Sequence, residues 1–267
     1  MLKRLKISFF RTCIVSLAFV ISTFQVQAAQ IKSDIIMIVD ESGSMGPVQD
    51  NLRDNIALFA SIMSAGGIDV RFALVGYGAS FDQIRTVTDF TDAAGFGAAA
   101  ATLISSGSDE DAYDAIAYAL NSYGPESSSF SFRNDAVKNV IIFTDEPDGN
   151  GELNFSDADS ILTANNALFN AVLSGFHTIS SIGPLADNHG GSVFDLNGLN
   201  TTDQSVVQTF VTNFANAKLQ ETIGFCTANP QDPACRNSDT PNPTVPEPTS
   251  LLLFGLAGLA LKFRRIF

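Results

Sequence analysis

The chain has 267 residues, of which 45% are hydrophobic, and its 28 acidic and 15 basic residues give a formal net charge of −13. Seven of the basic residues lie in two terminal segments, which leaves eight basic and 27 acidic residues between them. A domain this negative repels nucleic-acid phosphates and anionic membrane surfaces at long range, and it attracts cations. Nucleic acid is therefore excluded as a partner.

The first 28 residues have the pattern of a secretory signal peptide. Four basic residues surround the start of the chain, an apolar run extends from Cys13 to Ser22, and small residues follow at Ala28 and Ala29. We expect cleavage after Ala28 or Ala29 and export of the protein. The apolar run is short for a bilayer core of roughly 30 Å, which disfavours a permanent anchor. Between this segment and the tail, roughly 215 residues are enough for one sizeable globular domain.

From residue 33 to residue 217, buried-strand patterns alternate with amphipathic-helix patterns. The predicted strands are 34–40, 70–78, 83–90, 136–146, 176–183 and 192–196. The predicted helices are 48–63, 93–104, 109–123, 157–174 and 202–220. The alternation indicates an α/β fold around a mostly parallel sheet, with the short alternating segment 83–90 at a sheet edge. In such sheets ligands bind outside the carboxyl ends of the strands, at a topological switch point.

An oxygen-rich loop follows the first predicted strand directly. It presents a carboxylate and two hydroxyls at alternate positions, Asp40, Ser42 and Ser44, and Gly43 permits a sharp turn. Mg²⁺ prefers near-octahedral oxygen coordination at about 2.0–2.1 Å, often with several waters. A cation held through two neutral hydroxyls keeps much of its charge and would attract an external carboxylate. The alternative is that these side chains only cap the next helix.

Two further oxygen-rich loops follow later strands. Asp145 ends the strand VIIFTD, and the sequence SSGSDED contains Ser108 and Asp109. With the first motif, these residues resemble the von Willebrand factor A family, whose metal ion-dependent adhesion site has the pattern D-x-S-x-S, then Thr or Asp, then Asp. The resemblance covers residues 33–217. It implies a doubly wound, mostly parallel central sheet flanked by helices, similar to a Rossmann fold, and a divalent cation.

The resemblance also assigns roles to the site residues. Ser42 and Ser44 are expected to coordinate the cation directly, and Asp40 and Asp145 to hold it partly through water. The middle ligand is either a hydroxyl or a carboxylate, and these alternatives differ chemically because a direct carboxylate lowers the effective charge of the metal. The two candidates are Ser108 and Asp109.

Other polar residues have weaker assignments. The Asp-Glu-Asp run 109–111 also suits the start of a helix, where the helix dipole favours acidic residues. Glu41 and Glu146 flank the site and either tune its field or are solvated bystanders. His177, expected in a strand, and His189, expected in a loop, lack metal-ligand spacing.

Residues 218–244 form a distinct extension of the predicted domain. Cys226 and Cys235 are the two cysteines that remain after signal-peptide removal, and cysteines this close usually pair in an oxidising compartment. The segment offers no His and no second cysteine pair for a metal site, so we expect a disulfide. The Pro-, Ser- and Thr-rich stretch that follows is typical of an extended spacer.

The tail, residues 245–267, combines three features in a fixed order. Pro246-Glu247-Pro248 precedes an apolar stretch from Leu251 to Leu261, and a basic cluster ends the chain. This order resembles the PEP-CTERM sorting signal of Gram-negative bacteria, which implies processing by a membrane exosortase and release to the cell surface or extracellular matrix. The basic cluster is expected to stay cytoplasmic. Because the apolar stretch is short, the segment is expected to be a transient transmembrane helix in the inner membrane.

These features favour a binding function. The expected protein is an exported adhesion or matrix protein that captures a carboxylate-bearing protein or polysaccharide through a divalent cation, Mg²⁺ first and Mn²⁺ or Ca²⁺ as alternatives. The alternative function is a structural component of an exopolysaccharide or biofilm matrix, with a purely structural metal or none. An enzyme is not expected, because the sequence has no Gly-rich phosphate loop, no G-x-S-x-G elbow and no H-E-x-x-H helix.

Overall fold

The computed structural model describes residues 30–79, 84–108, 110–124, 128–149 and 151–236. These residues form a sheet of six strands, in the order β3-β2-β1-β4-β5-β6. The strands are β1 (Ile31–Asp40), β2 (Ile68–Tyr77), β3 (Arg85–Thr91), β4 (Val137–Thr144), β5 (Leu168–Leu173) and β6 (Val193–Asp195). The edge strand β3 runs antiparallel to β2, and the other neighbours pair in parallel. The predicted α/β fold class is confirmed.

Helices cover both faces of this sheet. They are α1 (Gly46–Ala65), α2 (Ala93–Ala100), α3 (Ala112–Ala119), α4 (Phe155–Ala164), α5 (Phe176–Asn188) and α6 (Gln204–Ala228). Alternate β1 residues point to opposite faces: Met37 packs with α1, α2 and α6, while Ile36 and Ile38 pack with α3, α4 and α5. Burial on both faces explains why β1 is almost continuously apolar.

The strand order places a switch point beside β1. From β1 the chain first adds β2 and β3 on one side, and then returns to add β4, β5 and β6 on the other side. The carboxyl ends of β1 and β4 therefore border the crevice where ligands of doubly wound sheets bind. Both ends carry the polar residues that the sequence singled out.

The prediction was wrong for two consecutive segments. Residues 157–174, predicted as one helix, contain most of α4 and all of β5, and the chain reverses between them at Asn166, whose φ is 49°. Residues 176–183, predicted as a strand, begin helix α5 after Gly175, whose φ is 83°. The apolar residues of β5 continued the spacing of α4, and the Thr, Ile and Ser residues of α5 imitated a strand.

Helix α6 extends the domain beyond the expected boundary at residue 217. Lys218, Leu219 and Thr222 are buried within the domain. The disulfide between Cys226 and Cys235, with sulfurs 2.05 Å apart, joins the end of α6 to the segment after it. This region packs against the amino ends of β1, β4 and β5, at the edge of the sheet opposite the switch point.

The expected signal peptide and sorting tail lie outside the described residues, and so do both hydrophobic terminal segments. Within the part of the chain that the structure describes, no helix combines the length and apolar character needed to cross a membrane.

Candidate functional site

Asp40 is the most deeply placed residue of the candidate site. It ends β1, and its carboxyl group is fully buried. The backbone N–H of Ser42 donates to Oδ1 over 2.6 Å, and the hydroxyl of Thr144, the last residue of β4, donates to Oδ2 over 2.8 Å. Both carboxyl oxygens are thus held by neutral donors from the two strands that meet at the switch point.

Three further side chains continue outward from Asp40. The hydroxyls of Ser42 and Ser44 lie 3.2 Å apart, and the Ser44 hydroxyl donates to Asp145 Oδ1 over 2.9 Å. Thr178 donates to the backbone carbonyl of Asp145 over 2.9 Å and so links α5 to this loop. Ser42 is buried whereas Ser44 is exposed, so the set leads from the core to the surface.

The alternative in which these serines cap the next helix is not observed. Ser42 precedes a short 3-10 turn, Gly43–Met45, without a side-chain capping hydrogen bond. Helix α1 begins after Met45, again without a side-chain cap, and Pro47 lies in its first turn. Proline at this position removes one otherwise unpaired N–H, and neither serine side chain caps the helix.

The loop at residues 103–108 is fastened beside the serines by its backbone. Gly107 forms a parallel bridge with Ser42, and its carbonyl accepts from the N–H of Gly43 over 3.3 Å. A Cβ at Gly107 would lie 1.4 Å from the carbonyl oxygen of Gly78, so no other residue fits there without moving the backbone. This contact brings Ser108, which is exposed, to the rim of the site. Asp109, the other candidate middle ligand, lies outside the described residues.

Glu41 has a different role from either of those expected. Its side chain is fully buried and forms a two-point ion pair with Arg85 on β3, at 2.5 and 3.0 Å. It also accepts from the N–H of Ile104 over 2.7 Å. The buried Glu41 side chain therefore links the end of β1 to the edge strand β3 and to the 103–108 loop. Glu146, by contrast, is exposed.

The electrostatics of Asp40 favour a positive partner. Burial is the main cause that raises the pKa of Asp40 to about 6, against the lowering effect of its hydrogen bonds to Ser42 and Thr144, and the negative charge of Asp145 raises it further. A buried carboxylate without a compensating charge is costly. Of the causes that raise this pKa, the negative charge of Asp145 would also attract a cation, and a bound cation would in turn favour the ionised form of Asp40.

Two supporting residues were missed by the sequence analysis. Thr144 orients Asp40, and Gln49 on α1 donates its amide to the carbonyls of Asp40 and Ile104, over 3.1 and 2.7 Å. Thr144 was visible in the strand motif VIIFTD but was not distinguished from a packing residue. Gln49 had no sequence signal beyond a polar residue on a helix face that the fold buries.

The donor set fits a hard cation such as Mg²⁺ in chemical type. It comprises the carboxylates of Asp40 and Asp145 and the hydroxyls of Ser42 and Ser44, all oxygen donors. Over the described ranges, no group of three or more His, Cys, Asp and Glu residues could hold a metal, so the hydroxyls are essential to the candidate site.

The two histidines lie outside this set. His177 lies on α5, not in the strand expected for it, and is exposed. The Nε2 atom of His189, the residue that directly follows α5, lies 2.9 Å from a carboxyl oxygen of Asp159.

Comparisons with known families agree with this architecture. The model of the von Willebrand factor type A domain matches residues 34–220, and that of the PEP-CTERM protein-sorting motif matches residues 244–266. A comparison with curated proteins found no match. The sorting motif implies export and exosortase processing at the membrane. With about 70% of its length matched, the chain belongs to the von Willebrand factor type A domain family.

Proposed function

We propose that this protein is an exported adhesion or matrix protein that captures a carboxylate-bearing ligand through a divalent cation held by Asp40, Ser42, Ser44 and Asp145. One observation supports this most strongly: four oxygen-bearing side chains from two strand ends lie together at the switch point. The Ser44 hydroxyl contacts both the Ser42 hydroxyl and Asp145, at 3.2 and 2.9 Å. Asp40 is held by Thr144, the residue before Asp145, over 2.8 Å. The exposed end of this set faces solvent, where a ligand can reach it.

Each residue contributes a distinct property. Ser42 and Ser44 supply neutral oxygens, so a bound cation would retain enough charge to attract an external carboxylate. Asp40 supplies charge from the buried side, and Asp145 supplies it from the rim. Ser108 or Asp109 would complete the set from the 103–108 loop. Mg²⁺ fits this compact arrangement best, with Mn²⁺ and Ca²⁺ as alternatives.

The ligand would be a protein or polysaccharide with accessible carboxylates. The described part of the chain combines an acidic surface with this local cation site, so a free acidic polymer would be repelled elsewhere and attracted only there. Cell-surface or matrix localisation after exosortase processing suits such a partner. A non-enzymatic role is part of the proposal, and the described residues of the site include no histidine.

A second function is favoured by a specific observation. The Ser44 hydroxyl already donates to Asp145, and the carboxyl oxygens of Asp40 already accept from Ser42 and Thr144. This loop cluster is satisfied by hydrogen bonds of its own. A structural component of a biofilm matrix, with a purely structural metal or none, would need nothing more.

Calorimetric titration of Mg²⁺ and Mn²⁺ into the chelator-treated exported protein tests for the metal site, and a retention assay separates adhesion from a structural role. We expect saturable one-site binding that is lost in Ser42→Ala, and metal-dependent retention on an immobilised polyuronate but not on a neutral glucan. Ser61→Ala is the matched control, since that exposed serine bonds only to the Leu58 carbonyl of its own helix. Retention on the polyuronate that persists in chelator, or in Asp40→Ala, would contradict the adhesion mechanism.

A further inference from the structure

Three polar side chains are buried together between β5 and α6, far from the candidate cation site. Asn170 lies in the middle of β5, and Lys218 and Glu221 lie one helical turn apart on α6. Asn170 and Lys218 are fully buried, and the side chain of Glu221 is 13% exposed. Neither sorting nor cation binding uses these residues.

Their positions are ones where apolar residues are expected. Asn170 follows the alternation of β5, in which Val172 on the same face belongs to the apolar core. Lys218 lies between the buried Ala215 and Leu219 on the face of α6 that packs on the sheet. Burying an amine and an amide at such positions is costly unless they are bonded. The bonds that these side chains form are therefore informative.

Their contacts have a defined arrangement. The Lys218 Nζ atom donates to Asn170 Oδ1, which places it beside the amide carbon, because a carbonyl bond is only about 1.23 Å long. The Asn170 amide nitrogen donates to both oxygens of Glu221, over 3.0 and 2.9 Å. Glu221 Oε2 also accepts from Lys218 Nζ over 3.1 Å. One carboxyl group thus touches both the amine and the nitrogen that would leave.

We propose that Lys218 and Asn170 join in an intramolecular isopeptide bond, with Glu221 as the proton-transfer group. The neutral amine of Lys218 attacks the Asn170 Cγ atom, and a C–N bond forms between them. The bond from Cγ to Nδ2 breaks, and the leaving nitrogen departs as ammonia. Glu221 takes a proton from Nζ and delivers one to Nδ2, so no oxidant, reductant or further reactant is needed.

The surroundings favour each part of this reaction. Burial lowers the pKa of Lys218 to about 8, despite the opposing effect of Glu221, which increases the fraction of neutral, nucleophilic amine. Ser192 donates to Glu221 Oε1 over 2.9 Å and helps to fix the carboxyl group. Exclusion of water from the buried pair protects the amide from hydrolysis.

The chain contains an internal control pair. Lys138 Nζ donates to Asn165 Oδ1 over 2.9 Å, so an amine and an amide meet there too. That pair is only partly buried, and no carboxyl contact with it is found among the described residues. We expect no bond between Lys138 and Asn165. The comparison tests the combined contribution of Glu221 and of complete burial.

Mass spectrometry of the full exported chain, after reduction of its disulfide, tests the proposal. We expect a mass lower by one ammonia molecule, and complete loss of trypsin cleavage after Lys218 while cleavage after Lys138 persists. Chymotrypsin cleaves between Asn170 and Lys218, and should yield two peptides joined through those residues. A wild-type chain of full mass with two linear peptides would overturn the proposal.

The variants separate the bond from other causes of ammonia loss. Lys218→Arg and Glu221→Gln should each restore the full mass, and Lys138→Arg should leave the mass deficit unchanged. Ammonia loss that persists in Lys218→Arg within the peptide that contains Asn170 would indicate a cyclised asparagine and would overturn the cross-link. Cross-linking that proceeds equally in Glu221→Gln would overturn the role of Glu221. The wild-type measurement stands even if a variant fails to fold.

Discussion

Strand β1 carries a buried carboxylate near each of its ends, and the two have opposite surroundings. Near the amino end, Asp34 is contacted by Arg71 and Arg133, with nitrogen–oxygen distances of 2.8–3.1 Å for their guanidinium groups. At the carboxyl end, the described contacts of Asp40 are neutral hydroxyl and backbone N–H donors. One strand thus has a carboxylate paired with two arginines near its amino end and a carboxylate without a cationic partner among the described residues at its carboxyl end.

The contrast separates a carboxylate that stabilises the fold from one that is available to a cation. Arg133 also pairs with Asp69 over 2.7 Å, so the ion-pair network around Asp34 connects β1, β2 and the segment before β4. Buried charge that is fully paired fixes the structure, whereas buried charge that lacks a partner is available for an external cation. Glu41, next to Asp40, pairs with Arg85, so a buried carboxylate at the carboxyl end of β1 can also have an arginine partner.

The largest effect is expected from Asp34→Asn. The substitution removes the charge that holds two arginines, and it should lower the free energy of unfolding by about 3–5 kcal/mol. Denaturant titration measures the loss. Lys32→Ala is the control, because the Lys32–Asp135 pair is largely exposed and should contribute at most about 1 kcal/mol. Equal effects of the two substitutions would remove the contrast between the ends of β1.

Arg85→Met should have the next largest effect. It leaves Glu41 buried with only the Ile104 N–H as a bonded donor, and we expect a loss of about 2 kcal/mol in the free energy of unfolding. Arg53→Met is the matched control, since its partners Asp50 and Asp54 are exposed. If Arg85→Met changed the free energy of unfolding no more than the control, the Glu41–Arg85 pair would not stabilise the fold as its contacts indicate.

Asp40→Asn should have the opposite sign from Asp34→Asn. In chelator at neutral pH, it removes a buried charge and keeps an amide oxygen as acceptor for the N–H of Ser42, while the Thr144 hydroxyl can accept from the new amide nitrogen. The domain should therefore gain about 1–2 kcal/mol of stability. The same variant should lose Mg²⁺ binding. Thermal unfolding with and without Mg²⁺ measures both effects. A loss of stability in chelator would mean that the Asp40 charge has a compensating partner within the protein.

The smallest effect is expected from Asp148, a partly buried carboxylate, whose contribution to the free energy of unfolding should depend on pH. Burial, with added repulsion from Asp111 and Asp114, raises the pKa of Asp148 to about 6. Because the pKa in the folded protein lies above the ordinary value of 3.8, the contribution of Asp148 to stability is present below about pH 4 and is lost as pH rises through 6. Because the group is partly exposed, we expect a change of about 1 kcal/mol.

Asp148→Asn keeps an acceptor for the N–H of Tyr113. It should remove this part of the pH dependence, so the variant should gain on wild type between pH 4 and pH 7 in denaturant titrations. Parallel stability curves for the two proteins over that range would show that Asp148 keeps its ordinary acidity in the fold.

Much of the fold was predictable because local patterns were consistent with burial. The apolar run of β1 and the alternation of β3 matched a central and an edge strand, respectively. The segments of β5 and α5 were not predictable in this way. The turns that end these elements lie at Asn166 and Gly175. The apolar residues of the six-residue strand β5 continue the helical spacing of the ten-residue helix α4, so the hydrophobic pattern alone does not show where the helix ends.

The candidate site was predictable where it is local in sequence. Asp40, Ser42 and Ser44 lie within five residues, and Asp145 ends a recognisable strand. The fixing of the 103–108 loop was not predictable, because it depends on Gly107 lying against Gly78, a contact made only after β2 and β1 have paired. The partnership of Glu41 and Arg85 likewise requires the edge strand to be in place.

The positions of the two ends of the domain have a mechanical consequence. Helix α6 and its disulfide deliver the chain to the amino edge of the sheet, where β1 also begins, while the candidate site lies at the carboxyl edge. A pull between a captured ligand and the tail would therefore run lengthwise along β1 and β4. Their backbone hydrogen bonds would be loaded together in shear, the geometry in which a sheet resists tension best, rather than being unzipped one by one.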